Sequence, residues 1–140
     1  MAASLISTWA PIGQWVDALF NRLFDNPDDQ ASATIFQKFI SPNLVYRINH
    51  DRHDFLGFDT MLKEARRTTI MQTKSNNEVQ SWEAPDGSGG GCVAHMSHFS
   101  LIDKAGADAI ECSALTLSTV KVQDGQRTLF ELAEIHQVVS

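Results

Sequence analysis

Apolar residues recur at steps of three and four along the N-terminal part of the chain. From position 12 to position 24 they form one stripe, made up of Ile12, Trp15, Val16, Leu19, Phe20, Leu23 and Phe24. Residues at these steps lie on the same side of an α-helix. The pattern therefore predicts a first helix of about 14 residues with one buried face.

A second helix is predicted after the polar run at positions 26–29. Asn26 offers a side-chain cap, and Pro27 suits the first helical position. Asp28 and Asp29 suit the positive end of the helix dipole. We expect the helix to stop before Pro42, because the residue preceding a proline disfavours the helical conformation. Its buried face is predicted to contain Ile35, Phe36, Phe39 and Ile40.

A short strand and a third helix follow. Leu44 to Ile48 alternates as a strand, and the polar segment at positions 49–54 is typical of a turn. The third helix is predicted to run from Gly57 to about Arg67. Its inner face is predicted to contain Phe58, Met61, Leu62 and Ala65.

The rest of the chain alternates with a period of two. A weak strand pattern covers positions 69–82, and stronger strands are predicted at about 92–103, 109–123 and 127–139. The Gly-rich segment from Ala84 to Gly91 predicts a mobile hairpin connection, and Asp124-Gly125 predicts a two-residue hairpin loop. Helices followed by strands predict an α+β fold, a cone-shaped, strongly curved antiparallel sheet with the N-terminal helices packed over its concave face.

The Asp124-Gly125 loop predicts the register of the last hairpin, with Gln123 facing Gln126 and the pairing continuing regularly along both strands. One face then carries Ser113, Leu115, Leu117 and Thr119 with Phe130, Leu132, Glu134 and His136. The other carries Cys112, Ala114, Thr116, Ser118 and Val120 with Leu129, Glu131, Ala133 and Ile135. We assign the first face to the interior because its central side chains are larger. The second face is expected to pack against a second copy of the chain, forming a homodimer.

This register predicts a row of polar groups inside the cone. An even-length loop around Gly106 places His98 opposite Ser113, with His136 on the next strand. Adjacent strands lie about 4.8 Å apart, so the two imidazole rings would be roughly 10 Å apart with the hydroxyl between them. A loop of odd length would place His98 on the other face of the sheet, and the row of three polar groups would not form.

Such a row suits proton transfer. A buried imidazole exchanges protons near neutral pH, and a carboxylate in apolar surroundings can act as an acid or a base. His98 and His136 are therefore candidates for acid and base, Glu134 for a group that tunes or replaces one of them, and Ser113 for holding a substrate oxygen. The candidates for the pocket wall are Tyr46, Trp15, Leu115 and Phe130. The alternative is that both histidines are structural and Glu134 faces water.

The segment His50-Asp51-Arg52-His53-Asp54 also concentrates ionisable groups. His50, His53 and Asp54 could hold a metal ion, but no further ligand follows at a recognisable spacing. A solvated turn is the favoured interpretation. We therefore expect no metal and no other cofactor.

Composition narrows the classes of partner. The chain has 140 residues, enough for one domain over 1–140, and a net charge of −6 from 17 acidic and 11 basic residues. Nucleic acid is disfavoured, because the one tight basic group is Lys63, Arg66 and Arg67. Neither a membrane-spanning stretch nor a signal peptide is predicted, so we expect a cytoplasmic protein.

The predicted register separates Cys92 from Cys112 by roughly 20 Å, too far for a disulfide.

The order of elements resembles the nuclear transport factor two-like superfamily, especially its SnoaL-like polyketide cyclases and scytalone dehydratase-like members. The resemblance is carried by Phe39-Ile40-Ser41-Pro42-Asn43-Leu44 before the first strand, Gly57-Phe58 in the third helix and Asp124-Gly125 before the last strand. Ser113-Ala114 is similar to a serine-alanine pair of the dehydratase-like branch, in which the serine faces inward. The resemblance implies a single SnoaL-like domain with a hydrophobic pocket.

The leading hypothesis is a cofactor-free cyclase, isomerase or dehydratase of secondary metabolism that transfers protons on a small apolar substrate. One alternative is a non-catalytic ligand-binding or dimerisation module of the same fold. Another is a structural adaptor that binds an unlike chain through its small-residue sheet face. Members of the superfamily serve all three roles, so the fold does not choose among them.

Overall fold

The computed structural model describes residues 9–106 and 108–139. Over these ranges the chain forms α1 (Ile12–Phe20), a π-helical turn (Asn21–Asp25), α2 (Asp29–Phe39), β1 (Ile40–Ile48), β2 (Asp51–His53), α3 (Phe55–Thr68), β3 (Thr69–Glu83), β4 (Gly91–Asp103), β5 (Ala109–Gln123) and β6 (Gln126–Val138). None of the helices in these ranges has the length and apolar character needed to cross a bilayer.

The helix starts differ slightly from those predicted, because aspartate side chains cap them. The Asp28 carboxylate accepts hydrogen bonds from the backbone N–H groups of Gln30 and Ala31, so α2 begins two residues after Pro27. Asp54 caps α3 by accepting from the N–H of Gly57 at 2.9 Å. An aspartate oxygen satisfies donors that the first helical turn otherwise leaves unpaired.

The helix α1 continues directly into the π-helical turn, and Arg66 of α3 forms hydrogen bonds to this turn. The Arg66 guanidinium donates to the carbonyl oxygens of Leu23 at 2.9 Å and Asn26 at 2.6 Å. It also contacts the Asp29 carboxylate at 2.8 Å. These bonds satisfy carbonyl groups that the end of a helix leaves unpaired.

The six strands form one curved sheet in the order β2-β1-β6-β5-β4-β3. Every pair is antiparallel except β1 and β6, which are parallel, so the sheet is mixed where we predicted a fully antiparallel one. The last strand of the chain therefore lies inside the sheet, between β1 and β5. The predicted α+β fold is confirmed, with three helices packed against the sheet.

A β-bulge in β6 changes the predicted register of the last hairpin. Near the loop the pairing is as predicted, with Val120 opposite Leu129. The next pair is Thr119 with Glu131, so Phe130 is an extra residue with no partner. Because side chains alternate between faces, one extra residue reverses which β5 side chains share a face with the rest of β6.

The core lies between the helices and the concave face of the sheet. It contains α1 and α2 residues such as Trp15, Leu19 and Phe36, packed against Leu129 and Leu132 of β6. The buried Arg127 side chain connects β6 to two loops at the edge of this core. It donates to the carbonyl oxygens of Gly89 at 2.7 Å and Ala10 at 2.6 Å. This packing leaves part of the concave face uncovered beyond Leu132.

Candidate functional site

A partly open cavity of about 680 Å³ lies between the helices and the uncovered part of the concave face. Its walls are mainly apolar and include Phe20, Phe24, Phe58, Met61, Leu101 and Leu132. Concave apolar cavities of this size with a few polar groups are typical of small-molecule sites.

Three polar side chains on β1 and β6 form a hydrogen-bonded network in the wall of this cavity. The Tyr46 hydroxyl donates to Glu134 Oε1 at 3.1 Å, and His136 Nδ1 lies 3.2 Å from Glu134 Oε2. Tyr46 is opposite Leu132 in the parallel β1–β6 ladder, two residues before Glu134. Glu134 and His136 are two residues apart on one strand, so their side chains lie on the same face.

The network assigns the tautomer of His136. An ionised carboxylate only accepts hydrogen bonds, so Nδ1 of His136 carries the proton that it shares with Glu134. In the neutral ring, Nε2 is then an acceptor that can take a proton. The side chains of Glu134 and His136 are 15% and 24% exposed, so the pair is shielded while remaining reachable from the cavity.

Aromatic rings hold the network in position. The Tyr46 ring packs on Phe58 with centroids 4.7 Å apart, and the edge of His136 meets Phe99 at 5.5 Å. Burial, together with the charge of Glu134 and the hydrogen bond to it, raises the pKa of the Tyr46 hydroxyl. Tyr46 therefore stays protonated and keeps donating to Glu134.

The opposite side of the cavity is polar and joins the helices to β3. Asn76 Nδ2 donates to the Asp17 carboxylate at 2.6 Å, and the Thr73 hydroxyl donates to Asp25 at 3.1 Å. Desolvation raises the pKa of Asp25, although the hydrogen bonds from Thr73 and Asn21 act in the opposite direction. These bonds tie α1 and the π-helical turn to the edge strand.

The structure brings together Tyr46, Glu134 and His136, but it does not form the predicted three-strand row. His98 is opposite Ser113, as predicted from an even loop. Both lie on the outer face, because His136 is paired with Ala114 after the bulge. His98 is exposed, and its Nδ1 lies 3.3 Å from the Ser75 hydroxyl.

Three predicted wall residues also lie outside the cavity. Leu115 is 40% exposed on the outer face, so our assignment of that β5 face to the interior was wrong. Phe130 is the bulged residue, and its ring contacts the Lys121 ammonium at 4.1 Å. Trp15 is fully packed in the core against Phe39 at 6.0 Å. None of the three is among the residues that line the cavity.

Sequence reasoning missed the β5 residues that do line the cavity. Ala114 and Thr116 occupy the wall beside His136 and Glu134. Their inward orientation depends on the bulge, which reverses the phase of β6 relative to β5. A signal was present in the sequence: Leu129 and Leu132 are both large apolar residues three positions apart, which a regular strand with one buried face does not accommodate.

The histidines of the 50–54 segment and the two cysteines were considered as a metal site and a disulfide. The ionisable segment at positions 50–54 forms the β1–β2 hairpin, where His50 is 95% exposed and contacts Asp51 at 3.9 Å. Within the described part of the chain, no group of three or more His, Cys, Asp or Glu residues could hold a metal ion. Cys92 and Cys112 form no disulfide; they lie opposite Thr119 and Phe99, far apart along the β4–β5 ladder as the predicted register requires.

Comparison with known proteins identifies the fold. No protein-family model matches the chain, and no curated protein matches it. A solved structure of a conserved protein from Planctomyces limnophilus is similar, with a TM-score of 0.74, 10% identity and coverage of 89% of this chain and 94% of that one. A ketosteroid isomerase-like protein from Erwinia carotovora atroseptica has a TM-score of 0.64 and 11% identity, covering 99% and 92%. A protein described as a candidate SnoaL-like polyketide cyclase from Shewanella denitrificans has a TM-score of 0.57 and 12% identity, covering 91% of each chain. The predicted nuclear transport factor two-like fold is confirmed.

Proposed function

We propose that this protein is a cofactor-free acid–base enzyme that acts on a small, largely apolar molecule, as a cyclase, isomerase or dehydratase. The observation that carries the proposal is the Tyr46–Glu134–His136 network in the wall of an apolar cavity. Solved structures with the same fold are described as a ketosteroid isomerase-like protein and a candidate SnoaL-like polyketide cyclase, which supports the isomerase and cyclase classes.

The network supplies the groups that proton transfer needs. His136 Nε2 takes a proton from a substrate carbon next to an electron-withdrawing group, and the Glu134 carboxylate stabilises the imidazolium that forms. The imidazolium then returns the proton to a different substrate atom in an isomerisation or cyclisation, or to the departing oxygen in a dehydration. No electron acceptor or metal is required for either outcome.

Each group has a distinct role in this proposal. His136 is the catalytic residue that exchanges the proton. Glu134 holds the imidazole in the Nδ1–H tautomer, and Tyr46 holds the carboxylate by donating to its other oxygen. The apolar wall shields the pair from part of the solvent, which strengthens the electrostatic interaction between imidazolium and carboxylate.

A generic probe of base catalysis tests the proposal without knowledge of the natural substrate. In nitrobenzisoxazole, a base removes the ring C–H proton, the N–O bond breaks, and a coloured cyanophenolate is released. We expect the wild-type protein to accelerate this reaction over buffer. His136→Ala and Glu134→Gln should each lower kcat/KM by about a hundredfold or more.

Matched controls lie outside the cavity on the same sheet. His98→Ala removes an exposed imidazole, and Glu131→Gln removes an exposed carboxylate from β6 itself. Both variants should keep the wild-type rate. Wild-type rates in His136→Ala and Glu134→Gln, or no acceleration by the wild-type protein, would refute the proposal.

The non-catalytic alternative gives a different result with the same protein. A ligand-binding module would show a higher melting temperature with apolar aromatic compounds, since a ligand that binds only the folded state stabilises it. It would show no probe turnover. Thermal shift and turnover measured on one preparation therefore distinguish the two functions.

A further inference from the structure

Asn49 occupies an unusual backbone position where β1 ends. It follows Ile48, the last residue of the strand, and its φ angle is 55°. Few residues other than glycine adopt this left-handed conformation readily, and asparagine is one of them. The chain turns away from the sheet here and enters the short β1–β2 hairpin.

From this position Asn49 makes two hydrogen bonds to the backbone of β6. Its N–H donates to the carbonyl oxygen of Glu134 at 2.8 Å. Its side-chain Oδ1 accepts from the N–H of His136 at 2.9 Å. Within the parallel ladder, Ile48 opposite Glu134 is the last β1–β6 pair. The Asn49 amide therefore replaces the backbone carbonyl that a longer β1 would have offered to His136.

The two bonded residues are those whose side chains form the acid–base pair. We propose that Asn49 is a positioning residue that fixes the Glu134–His136 pair by holding the β6 backbone between them, at the Glu134 carbonyl and the His136 amide that flank Ile135. The effect of Asn49 on catalysis rests on the proposed function, whereas its effect on the geometry of the pair does not. Glu134 Oε2 and His136 Nδ1 are 3.2 Å apart, so a small change in the β6 backbone lengthens a contact already near the limit of a hydrogen bond.

Asn49→Gly tests this role because glycine keeps the left-handed turn and removes only the side-chain amide. We expect the His136 backbone amide to exchange with solvent about five- to tenfold faster, as expected from loss of one hydrogen bond. The imidazole nitrogen NMR shifts should move from a dominant Nδ1–H tautomer toward a mixture. With the nitrobenzisoxazole probe, kcat should fall while KM changes little, because the cavity wall is unaltered.

Asp124→Gly is the matched control. Asp124 is the other described non-glycine residue with a positive φ, 53°, and it lies in the β5–β6 loop. This variant should leave the His136 amide exchange and tautomer unchanged. Asn49→Asp retains an oxygen at the same position and should restore slow exchange of the His136 amide.

The NMR measurements separate this inference from the proposed function. If His136 has wild-type amide exchange and tautomer in Asn49→Gly, the positioning role is refuted even when the probe is turned over. If those properties change while the wild-type protein shows no turnover, the positioning role stands and the proposed catalysis fails. Failure of Asn49→Asp to restore slow exchange would also count against the role of the side-chain oxygen.

Discussion

His95 is a buried histidine of β4 that does not belong to the Tyr46–Glu134–His136 network. It is 5% exposed, and its Nδ1 has no hydrogen-bond partner among the described residues. Desolvation lowers its pKa, although Asp17 and Glu78 act in the opposite direction. The folded protein therefore binds the His95 proton less readily than the unfolded chain does.

This makes stability dependent on pH. As pH falls below about 6.5, the unfolded chain takes up the proton first, so the free energy of unfolding decreases until the pH passes below the folded-state pKa. We expect urea denaturation to show lower stability at about pH 5 than at about pH 7.5. His95→Gln should reduce this difference, whereas His50→Gln, at an exposed hairpin position, should not. An equal pH dependence in His95→Gln and the wild-type protein would contradict the assignment.

At the residue scale, the sequence identified most of the polar network but not its geometry. Glu134 and His136 could be found because they lie two and four residues after Leu132 on the same strand. Side chains at these steps share one face, and Leu132 was assigned to the inner face. Tyr46 could be found because it is central in the first strand. The role of Asn49 could not be read from the sequence, because it depends on where β1 ends relative to β6.

At the element scale, the helices and the β4–β5 register were predictable, whereas the β5–β6 register beyond the Val120–Leu129 pair was not. The helical stripes depend on local periodicity, and aspartate caps moved helix starts by only two residues. The face of β5 depends on one bulged residue on another strand, Phe130. A bulge is not visible to a rule that continues strict alternation, so His98, Ser113 and Leu115 were placed on the wrong face.

If Phe130 is the extra residue of a β-bulge, two single-residue deletions in β6 should have opposite effects on which face Glu134 and His136 occupy. Deleting Phe130 removes the extra residue and leaves Leu129, Glu131 and Leu132 in regular alternation. Glu134 and His136 should stay inside, at a cost of about 1–2 kcal/mol from the lost Lys121 contact and reduced curvature. Deleting Ala133 should turn Glu134 and His136 outward.

Proton NMR contacts between the rings of His136 and Phe99 measure the outcome, since these rings are 5.5 Å apart in the cavity. The contacts should persist in the Phe130 deletion and disappear in the Ala133 deletion. Urea denaturation of both proteins checks that each is folded. Loss of the contacts on deleting Phe130 from a folded protein would show that the bulge has another role.

At the scale of the whole molecule, the outer face of the sheet is apolar and uncovered. Leu117 and Ile135 are 51% and 63% exposed, and Leu115 beside them is 40% exposed. Leu115 is paired with Ile135, so these side chains form one patch across β5 and β6. We propose that a second copy of the chain covers this patch, as expected for two-sided apolar strands.

Sedimentation analysis tests this proposal. The wild-type protein should sediment as a dimer, and Leu117→Lys should shift it to a monomer, because a charge in the centre of an apolar interface is left unpaired. Leu56→Lys is the control, since Leu56 is 69% exposed on α3, away from the sheet face. A monomeric wild-type protein, or a dimeric Leu117→Lys variant, would contradict the proposal.

The position of β6 between β1 and β5 has a consequence for biosynthesis. The ribosome makes this strand after the other five, yet it joins the two halves of the sheet and supplies both Glu134 and His136. Until it leaves the exit tunnel, β1 and β5 are open edges with unpaired backbone groups. A chain truncated before the Asp124-Gly125 loop therefore lacks the strand that joins β1 and β2 to β3, β4 and β5, and chaperones would meet it as two unjoined sheet fragments.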